Sequence, residues 1–201
     1  CAVMVSKHIV IVSPALSDAN NGNWQTAKRW ANLLGTQYRT RITRQWPDDK
    51  AQSDDILLAL HARRSAASIA AWHAQHGPQG LVVALTGTDL YRDIQSDPQA
   101  QQSLELASRL IVLQSLGIHA LPSKYHTKTH VVLQSTTSRK TLPKTTQRLR
   151  AVMVGHLRDE KSPQTLFAAA LLLRAREDIS IEHIGAGLDD KLAQDAINIV
   201  A

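Results

Sequence analysis

A chain of 201 residues that is 43% hydrophobic and 20% charged can bury one large core or two small ones, and this composition argues against disorder. The longest apolar run, Leu166 to Leu173, falls far short of the ~18–20 residues a membrane helix needs, and the short run Ile9 to Val12 leads into a loop without the form of a signal peptide. One cysteine, Cys1, excludes internal disulfides and Cys-based zinc, so the expectation is a soluble cytoplasmic protein of net charge +6.

Short β-branched apolar runs alternate with helix-length segments along the chain. HIVIVS (8–13) predicts a strand, Trp24 to Leu34 a helix, and YRTRIT (38–43) and DILLAL (55–60) two further strands. A helix follows over Ser65 to Gln75, then a strand in LVVALT (81–86), a helix over Gln99 to Ala107 and a strand in RLIVLQ (109–114). A short turn near Ser115 to Ala120 precedes a last strand in HVVLQ (130–134). Continuous Val/Ile/Leu strands separated by helices predict a parallel sheet covered on both faces.

The charge is unevenly distributed. Residues 1–135 carry 13 basic and 9 acidic side chains, residues 136–150 five basic and no acidic ones, and residues 151–201 five basic and eight acidic. The stretch TTSRKTLPKTTQRLR therefore holds most of the excess and reads as a solvated linker. After it the pattern restarts with a strand in LRAVMV (149–154), a helix over Pro163 to Arg174, a strand in ISIEHI (179–184) and a helix over Asp189 to Val200. The expected organisation is an N-terminal Rossmann-like domain over 1–135, a basic polar linker over 136–148 and the start of a second such domain over 149–201. A doubly wound domain usually has five or six strands, and 149–201 supplies two. The second unit therefore reads as incomplete by roughly a hundred residues, and Cys1 to Val3 read as an addition ahead of Met4.

In doubly wound sheets, ligands bind at the carboxyl ends of the strands, and the informative residues fall there. Asn20, Asn21, Gly22 and Asn23 follow the first strand and lead into a helix, offering amides at a positive helix end for a phosphate or a sugar hydroxyl. A long Asn/Gly turn explains the same residues. The segment lacks the GxGxxG fingerprint, so no dinucleotide is indicated. After the third strand, HARRSAAS places His61, Arg63, Arg64 and Ser65 before a helix; two arginines there suit an oxyanion clamp, or else are solvated beside a Ser cap. After the fourth, TGTDLYRD offers Thr86, Gly87, Thr88 and Asp89, the last as a hydroxyl-orienting group, a general base or a helix cap. In the second unit VGHLRDEKSP gathers Gly155, His156, Arg158 and Lys161 before Pro163, a suitable diphosphate site without P-loop spacing. HIGAG adds Gly185 and Gly187 at the end of the last strand.

The nine histidines are unaccompanied by HExxH or a Cys partner, so structural or solvated roles are expected and no metal or other cofactor is assigned. Trp30 and Trp72 read as core helix positions, and Trp24 as the tryptophan able to face a ligand.

Taken together, VSPALSDANNGNWQTAKRWANLL, LLALHARRSAASIAAW, LVVALTGTDLYRD, SLELASRLIVLQ and VMVGHLRDEKSPQTLFAAALLL resemble the selenosugar synthases of selenoneine biosynthesis, relatives of the family 4 glycosyltransferases. The resemblance runs from about Lys7 to Leu188. It implies an α/β GT-B fold, in which two Rossmann-like doubly wound units face a cleft. It also implies a glycosyltransferase that joins selenium to a sugar, with UDP-N-acetylglucosamine as donor and selenophosphate as selenium source, releasing UDP and phosphate without a bound metal. The wider family's G-R-x-x-x-E-K segment aligns with Gly155 to Lys161. Lys161 then takes the diphosphate-binding place, and His156 stands where arginine is usual, with Arg158 as a substitute charge. Asn20 to Asn23 match the N-terminal glycine-rich loop, and Thr86 to Asp89 the strand-end loop facing the cleft.

On this reading His61, Arg63, Arg64 and Asp89 carry catalysis, and Asn20, Asn21, Gly22, Asn23, Thr86, Gly87 and Thr88 hold the acceptor. Gly155, His156, Arg158, Lys161 and Gly185 hold the donor diphosphate. The paired-glutamate segment of family 4 enzymes lies beyond residue 201, so an incomplete donor pocket is expected. Two alternatives stand beside it. One is a family 4 glycosyltransferase acting on an alcohol, against which the anion-suited HARRS segment argues. The other is a basic module whose nucleic-acid binding would depend steeply on salt and on Arg139, Lys140 and Lys144.

Overall fold

The computed structural model describes residues 7–18, 21–141 and 143–200; the expectations that concern Cys1 to Val3 and Asn20 lie outside them. The chain divides into two compact units, Cys1–Thr136 and Thr137–Ala201.

The first unit is built on six parallel strands: β1 (His8–Val12), β2 (Arg39–Thr43), β3 (Ile56–Leu60), β4 (Leu81–Leu85), β5 (Arg109–Val112) and β6 (Thr129–Val131), in the spatial order β2-β1-β3-β4-β5-β6. The central strands are buried on both faces, as uninterrupted Val, Ile, Leu and Ala demand. One face packs Val10, Val12, Leu57, Ala59, Leu81 and Val83 against helices α2 (Ala66–His76) and α4 (Pro98–Leu106), through Ile69, Trp72, Ala100 and Leu104. The opposite face sets Ile9, Ile11, Leu58 and Leu60 against Ala27 and Trp30 of α1 (Gly22–Leu34). The unit is thus an α/β, Rossmann-like sheet wound on both faces, with Trp30 and Trp72 in the core as the spacing predicts.

The crossover from β2 to β3 has only a 3-10 turn, Ala51–Ser53, for a helix. Trp46 fills the layer instead, its ring 4.9 Å from that of Trp72, its backbone N–H donating to Ser68 Oγ and its indole N–H to Asp54 Oδ2. Arg41 pins the crossover by donating both to the buried Asp54 and to the two oxygens of Asp48. These bonds hold the Asp48 carboxyl below the usual range and the Arg41 guanidinium well above its own.

Beyond shifts of one or two residues at element ends, three features differ from expectation. β6 ends at Val131 rather than Gln134 because Gln134 donates to Thr26 Oγ1 and Ser135 accepts from Arg29 Nε, which draws the chain off the sheet and onto α1. A 3-10 turn at Ser123–Lys128 was not foreseen; Lys128 reaches from it to the carbonyls of Leu104, Glu105 and Ala107, satisfying the end of α4. A helical segment at Asp89–Ser96, whose last turn is α3 (Ile94–Ser96), precedes α4.

The second unit has two parallel strands, β7 (Leu149–Val154) and β8 (Ile179–Ile184), with α5 (Pro163–Leu172) and α6 (Asp190–Val200). Two strands give a marginal core: Leu157 and Leu192 are buried, while Val154, Leu172 and Ile184 remain more than half exposed. The described residues of 137–148 are exposed throughout. Among the described residues no helix is long and apolar enough to cross a membrane.

Candidate functional site

The strand order reverses between β1 and β3: from β1 the chain moves outward to β2, then returns to the other side of β1. In doubly wound sheets a crevice opens at the carboxyl ends of the strands at such a reversal. The turn that leaves β3 there contains His61, Arg63 and Arg64.

This turn is tightly built. His61 N–H donates to Ala84 O on β4, and Ser65 N–H donates back to His61 O. Ser65 Oγ donates to Leu60 O at 2.6 Å and makes no cap bond to α2, so the expected Ser cap is instead a clasp on the strand end. His61 has a φ of 73°, a left-handed conformation that costs a residue with a Cβ about 1–2 kcal/mol. The turn thereby places the imidazole under the β4 loop, where it is 3% exposed.

Asp89 joins the two loops. One carboxylate oxygen accepts from the N–H groups of Thr86 and Gly87, both at 2.9 Å, and the other accepts from Ala62 N–H at 2.8 Å. The residue is wholly buried. Asp89, read from the sequence as a hydroxyl-orienting group, a general base or a helix cap, here brackets the two strand ends through backbone amides. The Thr86 and Gly87 amides are spent on it too, leaving the half-buried Thr88 as the polar side chain of that loop beside the imidazole. Gly87 has a φ of 141°, where glycine is favoured, and a Cβ there would meet open space.

His61 Nδ1 accepts the Arg64 N–H at 3.3 Å, and Nε2 lies 3.1 Å from Thr88 Oγ1. A neutral ring accepting at Nδ1 carries its proton on Nε2, so it donates to Thr88. Burial pushes the imidazole below its ordinary pKa; Asp89 and Asp93 oppose this, and Arg64 and Arg63 add to it. Arg63 Nε donates to Asp97 Oδ2 at 2.9 Å, and Nη1 lies 3.9 Å from Asp93 Oδ1. The guanidinium remains about half exposed. Arg63 is thus oriented by acids rather than free, whereas the Arg64 side chain has no hydrogen-bond or ion-pair partner among the described residues.

Asp93 and Asp97, neither of them among the expected site residues, join the turn through His61 and Arg63. They follow Asp89 at i+4 and i+8, Asp93 on the same helical segment and Asp97 as the extended N-cap of α4 after it. That segment is a π-helical turn at Asp89–Asp93 continued by Ile94–Ser96, and π-turns are frequent at functional sites. The acid spacing was the available signal.

At the end of β1, Asn21 is the N-cap of α1, and its side-chain oxygen accepts from Asn23 N–H and Trp24 N–H. Those two amides, expected to face a phosphate, are already satisfied. An added Cβ on Gly22 meets open space, and Trp24 is half-buried. Asn20 lies outside the described residues. A groove of about 560 Å³ along α4, lined by Ile94, Gln101, Leu104 and Tyr125 among others, contains none of the expected site residues.

In the second unit the loops after β7 and β8 meet backbone to backbone. Gly155 has a φ of 150°, and the stem of Lys161 lies over it, 3.6 Å from where its Cβ would be. His183 Nε2 lies 2.7 Å from Gly155 O, and His156 Nδ1 accepts the Ala186 N–H at 3.0 Å. With Nδ1 accepting that bond, Nε2 of His156 has no partner among the described residues. Arg158 lies 4.0 Å from Glu160. Gly155, His156, Gly185 and Lys161 are thus gathered, and Arg158 is directed to an acid. Ser162, at a φ of 48°, precedes α5 and makes no cap bond to it.

A Cβ at Gly185 would sit 2.0 Å from Gly155 O and 3.0 Å from His156 N. Gly185→Ala is therefore expected to force the two loops apart and break the His156–Ala186 bond. The check is chemical-shift change in the amide spectrum: loss of the native Ala186 and His156 resonances with those of the first unit unmoved. Unchanged spectra would show that the loops do not meet in this way.

Among the described residues no three His, Cys, Asp or Glu side chains are grouped to hold a metal ion. No protein-family profile matches the chain, and a search of curated proteins finds no match.

Proposed function

We infer that this chain serves a glycosyltransferase reaction that forms a carbon–selenium bond, transferring N-acetylglucosamine from UDP-N-acetylglucosamine to selenophosphate. The observation that carries this reading is the turn at the sheet's reversal point. Within four residues it presents an imidazole, a guanidinium oriented by Asp97 and a second guanidinium unpaired among the described residues. Fixed positive charge of this kind suits a small phosphorus oxyanion better than a neutral alcohol. The motif resemblance supplies selenium and the identity of the sugar.

The chemistry asks little of a general base. Selenium of selenophosphate attacks the anomeric carbon, the C–Se bond forms, and the C–O bond to UDP breaks with its electrons leaving on the diphosphate. Water then cleaves the Se–P bond to release phosphate and the 1-seleno-sugar. The protein's tasks are to hold the trianion or dianion in place and to stabilise the departing diphosphate, for which Lys161 and the His156 N–H are the candidates.

The experiment is anaerobic incubation of the chain with both substrates, mass spectrometry for the seleno-sugar, and calorimetry with each substrate alone. Seleno-sugar and UDP are expected, with inorganic phosphate or an alcohol giving no glycoside. An O-glycoside formed from the alcohol while selenophosphate is unused would replace this reading with the alcohol transferase. Absence of both product and selenophosphate binding would overturn it.

A further inference from the structure

Among the described residues, one buried side-chain polar atom has no hydrogen-bond partner: Oδ2 of Asp93. The residue is 5% exposed, and its other oxygen accepts from Arg92 Nε at 3.1 Å. A buried carboxylate oxygen without a partner is costly, and native proteins rarely leave one unused. Its neighbour is His61 Nε2 at 3.9 Å. On the far side of the same ring Nδ1 lies 4.0 Å from Asp89 Oδ2. The imidazole is thus flanked by two buried acids, each about 1 Å beyond hydrogen-bond reach, and is held there by a left-handed backbone.

The charges facing the ring divide evenly. Asp89 and Asp93, both from the π-turn, favour an imidazolium; Arg63 and Arg64, from the ring's own loop, and burial oppose it. Thr88 is the neutral contact. In this balance the protein alone keeps the ring neutral and Asp93 Oδ2 unpartnered. An anion beside the two arginines removes the opposing charge, and the acids then decide the outcome.

We propose that Asp93 is the positioning residue for a doubly protonated His61: when a phosphoryl anion occupies the turn beside Arg63 and Arg64, Nδ1 takes a proton from solvent in exchange for the Arg64 N–H, and the imidazolium is held between Asp89 Oδ2 on its Nδ1 side and Asp93 Oδ2 on its Nε2 side. The anion's class rests on the function inferred above, while the pairing of Asp93 with His61 does not. Proton uptake makes the anion's affinity rise as pH falls through the ring's titration range. It also leaves an acid at the site once the anion is seated.

The test uses the full chain and inorganic phosphate. The His61 Cε1–H resonance, assigned by its loss in His61→Gln, is titrated with and without phosphate. Phosphate is expected to raise the midpoint by about one pH unit, and Asp93→Asn to lower the ligand-free midpoint by a similar amount and suppress the rise. Calorimetry of phosphate binding in buffers of different ionisation enthalpy should show net proton uptake, lost in Asp93→Asn. A ligand-free midpoint indifferent to Asp93→Asn overturns the pairing. Phosphate that binds without proton uptake overturns the gating. Should phosphate fail to bind at all, the phosphoryl reading of the turn and the gating fall together, and the ligand-free midpoints still decide the pairing. Should Asp93→Asn fail to fold, the native chain decides: a midpoint that saturating phosphate does not move overturns the proposal.

Discussion

Asp89→Ala is expected to destabilise the first unit by about 4 kcal/mol, because it strips a charged acceptor from three backbone N–H groups at once. The Ala62 amide is in a buried setting, and water has no route to replace the carboxylate at a residue with no exposed surface. Asp89→Asn separates this role from acid–base chemistry. Its carbonyl oxygen can keep the Thr86 and Gly87 amides, but its NH₂ then confronts the Ala62 N–H, donor against donor, and about half the loss is expected. Denaturant midpoints followed by far-UV circular dichroism measure both. If each variant stays within about 0.5 kcal/mol of the parent while turnover is lost, Asp89 is a reacting group and the bracket assignment fails.

On the transfer proposed above, replacing both Arg63 and Arg64 with Ala should reduce turnover about a thousandfold, the scale on which preorganised charge contributes to such sites, while leaving UDP-N-acetylglucosamine binding unchanged. The two single variants are expected to differ. Arg63→Ala releases the acids that orient the guanidinium, Asp97 at 2.9 Å and Asp93 at 3.9 Å, and so adds negative charge where an anion should bind. Arg64→Ala removes an exposed side chain that pairs with no described residue, and its backbone bond to His61 survives. Arg63→Ala should accordingly be the more damaging, with the loss mainly in selenophosphate affinity. Equal rates for parent and double variant would remove the anion clamp from the mechanism.

The central strands β1, β3, β4 and β5 were legible because each is built on a short, unbroken run of Val, Ile, Leu and Ala, a pattern that suits a sheet covered on both faces. Their order was not. Nothing in the runs themselves says that β3 returns to the far side of β1, since that depends on pairings such as Ile9 with Ile56. The candidate site was legible in its loops and not in its details. HARRS and TGTD point to strand ends, yet the saturation of Asp89 by backbone amides and the capping of α1 by Asn21 are outcomes of local hydrogen bonding that residue types leave open. Asp93 and Asp97 escaped because the segment from Asp89 to Ser96 contains no apolar period strong enough to read as a helix. Trp46 escaped for a related reason, since its place in the core depends on Arg41 pinning an irregular crossover.

That crossover bears on how the chain finds its fold. The central pairing of β1 with β3 brings together residues separated by 47 positions, as the bond from His8 N–H to Asp55 shows, and the chain between them contributes one helix and an irregular strap. Closing so long a loop is paid in chain entropy before any sheet contact repays it. Folding of the first unit should therefore be slow for its size, and β1, apolar from Ile9 to Val12 and half-paired until both β2 and β3 arrive, is the segment most exposed to association with other chains while it waits.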